Sequence, residues 1–150
     1  MEPDDEVQVL AFSSQVTPLG LLGPMREVGE ELINKVNGLF AEGNTALYDS
    51  IATAMNEIEH ARASAKQPRL YGVVVLSDGK DTSSRTKNFD LMARMPKGED
   101  TESIKVFTIA FGKEADVDFL KDIAERSNAV SMKGDESNIE MIYNAIATYF

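Results

Sequence analysis

The chain has no cysteine, no tryptophan and a single histidine. Without cysteine there is no disulfide, no thiol nucleophile and no thiolate-bound zinc, and the compartment stays open because exported proteins can also do without disulfides. The one histidine, His60, has no serine or aspartate at triad spacing and reads as a solvated helix residue beside Glu59. Basic residues are scarce, 15 against 25 acidic, for a formal charge of −10. Phosphate contacts need clustered Lys and Arg, so nucleic acid is excluded as a partner. No apolar run approaches the roughly 20 residues of a bilayer span. The opening MEPDDE is acidic where a secretion signal is basic and then apolar, so we expect neither membrane insertion nor an address. The glycines do not form G-x-G-x-x-G after a strand and no G-x-x-x-x-G-K-[ST] occurs, which removes the phosphate cradle of nucleotide enzymes.

What remains is a chain of 150 residues with 43% hydrophobic content, enough for one domain with a packed core. VQVLAF, residues 7–12, reads as a short strand ended by Ser13 and Ser14. Pro18, Gly20, Gly23 and Pro24 punctuate a loop with room for at most a short edge strand. Val28, Leu32, Ile33, Val36 and Leu39 then recur at helical spacing, and Leu47, Ile51, Met55 and Ile58 form the stripe of a second helix opened by Thr45. A strand over 70–77, a weak helix over 88–94 stopped by Pro96, and a charged loop over 97–103 follow. A strand over 104–111 precedes a helix capped by Asp116, a short strand over 129–132 and a last helix behind a Ser137/Glu140 capping box. Strands alternating with helices predict an α/β fold: a Rossmann-like, doubly wound, mostly parallel sheet with helices on both faces. The seven methionines are scattered as core filler.

The most informative segment is LYGVVVLSDGKDTSS, residues 70–84, where an unbroken apolar run stops at Asp78 and Gly79. Such a run suits a central parallel strand covered on both faces, and its carboxyl end is where open α/β sheets place their ligand crevice. The Gly43-Asn44-Thr45 turn, which opens a helix, can reach the same crevice. A threonine hydroxyl and an aspartate carboxylate are hard oxygen ligands, suited to Mg²⁺ rather than to a soft metal.

The phrases GNTALYDSI, VVVLSDGKDTSS, VFTIAFGKEAD and LKDIAE, in that order over nearly the whole chain, resemble the von Willebrand factor A domain. The resemblance implies a non-enzymatic protein-binding module with a metal-ion-dependent adhesion site. That site takes its ligands from three loops: an Asp-x-Ser-x-Ser motif after the first strand, a helix-opening threonine and an aspartate after a later strand. Thr45 and Asp78 match the second and third. A carboxylate from the protein ligand completes the coordination. Asp81 is expected to order its loop or hold a water behind the ion, and Ser13 and Ser14 to be structural residues after the second strand that could at most line the crevice.

The first of those loops has no counterpart. DDEVQVLAFSSQV resembles the family's second strand, which leaves the central first strand outside residues 1–150 and makes this a partial domain. Asp81-Thr82-Ser83-Ser84-Arg85 does not substitute for the motif, since Arg85 stands at its last serine. With Thr45 and Asp78 alone, Mg²⁺ (or Mn²⁺ or Ca²⁺) is expected to be held weakly or not at all. Removing about five buried apolar residues at about 1.5–3 kcal/mol each takes away on the order of 10 kcal/mol, comparable to the stability of a domain. Three expectations follow: a truncated or mis-started chain, a 7–12 strand that slides into the gap, or a homodimer formed by strand exchange. Two other functions compete. One is a scaffold domain of this type without metal; the other is a receiver-like phosphoryl acceptor with Asp4 and Asp5 as its acidic pair, although both precede their strand and so fall at the wrong end of the sheet.

Overall fold

The computed structural model describes residues 2–40, 43–96 and 103–150. In chain order the elements are β1 (Glu6–Val7), β2 (Leu10–Phe12), β3 (Val16–Pro18), β4 (Gly23–Pro24), α1 (Met25–Asn37), α2 (Leu47–Ser64), β5 (Gly72–Ser77), α3 (Asn88–Arg94), β6 (Lys105–Phe111), α4 (Val117–Arg126), β7 (Ser131–Gly134) and α5 (Ile139–Ala147). The charged loop expected over 97–103 lies, apart from Ser103, outside the described residues.

The core is a parallel sheet in the order β5-β6-β7, with Val73 beside Val106 and Thr108 beside Ser131. Residues 106–110 of β6 are all buried, as an apolar run without alternation requires when both faces are covered. One face meets Leu47, Ile51 and Met55 of α2, Leu91 of α3, and Leu120 and Ile123 of α4. The opposite face packs Phe107 and Ile109 against Ile142 and Ile146 of α5. Two polar groups in this interior are satisfied locally. The Thr108 hydroxyl donates to the Leu120 carbonyl at 2.8 Å, and the Ser127 hydroxyl accepts the Val106 amide at 2.9 Å.

The amino-terminal part departs from the single strand expected over 7–12. That segment breaks into β1 and β2, which pair antiparallel with β4 and β3 respectively, so the loop over 15–24 carries two short strands. The segment therefore does not slide into the sheet. The physical reason is local: the Ser13 amide donates to Gln15 O at 2.9 Å and closes a tight hairpin, which satisfies one edge of β2 at little entropic cost. Among the described residues β5 bonds β6 on one edge and no strand on the other. The helix α2 packs against β5 and also against β2 and β3.

Three further expectations are corrected. The α1 stripe is only partly used: Leu32 is buried, but Ile33, Val36 and Leu39 are exposed, because the helix rests on the two-residue strands β1 and β4 and overhangs them. The capping box before α5 does not form. The cap residue is Asn138, and the Ser137 hydroxyl instead donates to Asp135 at 2.5 Å. The last strand begins at Ser131, two residues later than expected, after a turn in which Asn128 takes a positive φ of 53°. Asp116 does cap α4, accepting the Phe119 amide at 3.3 Å.

Candidate functional site

Three loops meet beyond the carboxyl ends of the strands: Ser13–Ser14 after β2, residues 43–46 before α2, and residues 78–86 after β5. Ser13 O accepts the Ala46 amide at 2.7 Å, and the Ser14 hydroxyl accepts the Asn44 amide at 3.0 Å. Gly43 has a positive φ of 80°, and a Cβ there would stand 2.6 Å from Ser14 Oγ, so only glycine lets the two loops approach. On the other side the Thr45 carbonyl accepts the amides of Thr82 and Ser83 at 2.8 and 3.2 Å, and the Thr45 amide donates to Thr82 Oγ1 at 2.8 Å. Thr45 is thus pinned through its backbone while its hydroxyl makes no hydrogen bond among the described residues. That hydroxyl lies 3.5 Å from where a Cβ on Gly79 would be, which places it against the turn that follows Asp78.

Thr45 does not cap the helix. The helix starts at Leu47 behind Ala46, which has no capping side chain. Its first-turn amides are satisfied from the β5 loop instead: Tyr48 N donates to Asp81 Oδ1 at 3.1 Å and Asp49 N to Ser84 Oγ at 2.9 Å. The Ser84 hydroxyl also donates to Asp81 Oδ1 at 2.5 Å. In return the Asp49 carboxylate accepts the amides of Arg85 and Thr86, each at 2.9 Å. Burial pushes the Asp49 carboxyl up, but its bonds from Thr86 and Arg85 and the nearby Arg85 charge outweigh that and hold it below its ordinary range.

Asp78, Thr45, Ser13 and Ser14 therefore all belong to the loops that converge at this end of the sheet. Asp78 is exposed and its carboxylate is bonded to nothing among the described residues. Asp81 orders the loop, with one oxygen already engaged twice. Ser13 and Ser14 hold the rim through a carbonyl and a hydroxyl. The sequence reading missed Asp49, Thr82 and Ser84. The available signal was a helix whose cap position is an alanine lying opposite a run of hydroxyl residues. Asp4 and Asp5 precede β1 and lie against the start of α1, with Asp4 ion-paired to Arg26 and Asp5 O accepting the Met25 amide, and they take no part in these loops. The Ser83 hydroxyl is buried without a partner among the described residues. Among the described residues no three His, Cys, Asp or Glu side chains are grouped to hold a metal.

The model of the von Willebrand factor type A domain matches residues 1–145. No curated protein matches the chain. Among solved structures, a von Willebrand factor type A protein from Catenulispora acidiphila is similar with a TM-score of 0.75 at 16% identity, over 97% of this chain and 34% of that one. BatB from Bacteroides thetaiotaomicron gives a TM-score of 0.65 at 14% identity, over 97% and 79%. Proximal thread matrix protein 1 from the mussel byssus, with a zinc-occupied metal-ion-dependent adhesion motif, gives 0.68 at 17%, over 94% and 35%. The chain spans about a third of the length of the Catenulispora and mussel proteins. At such identities the likeness concerns the fold.

Proposed function

Since the chain belongs to the von Willebrand factor type A domain family, we propose that residues 1–150 form a single partial domain of that family that acts as a protein-binding module rather than an enzyme. On this reading Thr45 and Asp78 offer two oxygens to a Mg²⁺-type cation, with water and a carboxylate of the protein ligand filling the rest of about six positions. The observation that carries the reading is the pairing of two unengaged oxygens on abutting loops. Among the described residues the Thr45 hydroxyl is free although its backbone is bonded on both sides, and Asp78 immediately precedes the turn that this hydroxyl abuts. Both groups are hard donors and fit a hard cation, but two ligands are few.

A bound cation would supply uncancelled positive charge to an incoming carboxylate. The chain's own residues do the positioning: Thr82 and Ser83 fix Thr45, while Asp81 and Ser84 fix the loop that carries Asp78. A scaffold domain without metal is the second reading, favoured by the absence of any cluster of three acidic or imidazole ligands among the described residues.

Paramagnetic Mn²⁺ separates the two, because it broadens nearby amide resonances even when binding is weak. We expect selective broadening at Thr45, Asp78 and Gly79, lost in Asp78→Ala and reduced in Thr45→Ala. No broadening, or broadening spread over the acidic surface and unchanged by Asp78→Ala, would establish the scaffold reading.

A further inference from the structure

Two dipeptides in the chain join Asn or Asp to glycine: Asn37-Gly38 and Asp78-Gly79. Such pairs are chemically weak points of a backbone, because the glycine amide nitrogen has no Cβ beside it and can attack the preceding side-chain carbonyl. The fold sets the two apart. At the end of α1 the Gly38 amide donates to both Asn34 O and Lys35 O at 3.2 Å, and those bonds must open before its nitrogen can turn toward Asn37. In the loop after β5 the Gly79 amide has one hydrogen bond among the described residues, to Ser77 Oγ at 3.4 Å. An ordinary N–H···O bond spans about 2.7–3.2 Å, so little holds this nitrogen.

The carboxyl group that this nitrogen would attack is equally unengaged, since Asp78 accepts no hydrogen bond among the described residues. Its neighbours provide the contrast. Asp81 Oδ1 accepts the Tyr48 amide and the Ser84 hydroxyl, and the Thr82 amide that follows Asp81 is bonded to Thr45 O at 2.8 Å. Asp49 has both oxygens engaged by the amides of Arg85 and Thr86, and the Ser50 amide after it donates to Ala46 O at 3.0 Å. A reaction between Asp78 and Gly79 needs the atoms of those two residues and water, so it is set by this loop and by no other part of the chain.

We propose that Asp78-Gly79 is a self-modification site, at which the folded chain rearranges to isoaspartate without an enzyme. The Gly79 nitrogen attacks Asp78 Cγ, a C–N bond forms, and the carboxyl hydroxyl and the amide proton leave together as one water. Another water then opens the resulting cyclic imide. Where it attacks the main-chain carbonyl of Asp78, the old bond to Gly79 breaks and the chain runs on through Cβ and Cγ. One water is lost and one is gained, and no oxidant or cofactor takes part. The product has an extra methylene in its main chain and a carboxylate one carbon closer to it. On the reading of Asp78 as a cation ligand, on which this consequence rests, the rearranged loop no longer presents that oxygen.

The 150-residue chain is incubated for several weeks at neutral pH, folded and in guanidinium chloride. Isoaspartate is located by mapping with endoproteinase Asp-N, which does not cut before it, and by enzymatic methyl-labelling. Amides bonded in the native state react from opened states, so folding should slow Asn37 deamidation and Asp81 rearrangement at least about tenfold and leave Asp78 within about threefold of its unfolded rate. A Cβ on Gly79 would stand 3.5 Å from Thr45 Oγ1, an ordinary contact, and Gly79 has no positive φ, so alanine fits there. Gly79→Ala should melt cooperatively and convert at Asp78 about tenfold more slowly, because its Cβ crowds the attacking nitrogen. Should that variant fail to fold, the folded-to-unfolded comparison on the unaltered chain decides. The proposal is overturned if no isoaspartate forms at 78, if folding protects 78 as strongly as 37 and 81, or if folded Gly79→Ala converts at the parent rate. The mapping involves no metal, so a chain that rearranges at 78 but shows no Mn²⁺ broadening before incubation refutes the cation reading and supports this one.

Discussion

Asp78 and Asp81 stand three residues apart in one loop, and the structure assigns them opposite energetic roles. Asp81 Oδ1 accepts the Tyr48 amide and the Ser84 hydroxyl, and through them secures the first turn of α2, which has no cap of its own. A hydrogen bond to a charged acceptor is worth about 1.5–3 kcal/mol, and removal of an ordinary helix cap costs about 0.5–2 kcal/mol. The two bonds share one oxygen in a half-buried setting, so Asp81→Ala should cost about 2–4 kcal/mol. For a domain of this size each kcal/mol moves the melting temperature by about 2–4 °C, which gives a drop of about 5–15 °C. Asp78→Ala removes an exposed carboxylate with no partner and should stay within about 0.5 kcal/mol. Thermal unfolding followed by far-ultraviolet circular dichroism, with urea midpoints as a second measure, reads both variants. Equal losses in the two, or an inert Asp81→Ala, would refute the division of labour. The same pair should reverse in the Mn²⁺ experiment, where Asp78→Ala removes the broadening.

Two further outcomes are expected. Because the folded Asp49 carboxyl titrates below its ordinary range, its contribution is present at neutral pH and is lost as pH falls through its folded value. Urea midpoints measured stepwise into acid should therefore fall less steeply in Asp49→Asn than in the parent chain, and parallel acid limbs would contradict this. Ser127→Ala leaves the buried Val106 amide without its acceptor and should cost about 1–3 kcal/mol by urea unfolding, whereas Ser64→Ala, at the exposed end of α2, should not register.

The parallel strands β5 and β6 and the helices α1, α2 and α4 were legible because each is set by its own residues: unbroken apolar runs in one case, periodic stripes in the other. The amino-terminal hairpins were not. VQVLAF is equally consistent with one long strand, and only the Ser13 turn decides that it folds back. The box Ser137/Glu140 matched its pattern, yet Asp135 competes for the serine hydroxyl and wins at 2.5 Å. At the candidate site, the positions of Thr45 and Asp78 at element ends could be read from the sequence. Asp49, Thr82 and Ser84 could not, because their roles arise from pairs separated by 35 to 37 positions. Local patterns do not encode partners at that distance.

The reciprocal clamp between the start of α2 and the loop after β5 also sets an order of events. No side chain within the helix caps the amides of its first turn, so that turn stays frayed until β5 has been laid down and its loop has closed over it. Contacts of such long sequence separation form late. Thr45 acquires its fixed backbone only at that step, so under the proposed binding role a growing or partly folded chain has the threonine and the aspartate but not yet the arrangement that would take a ligand.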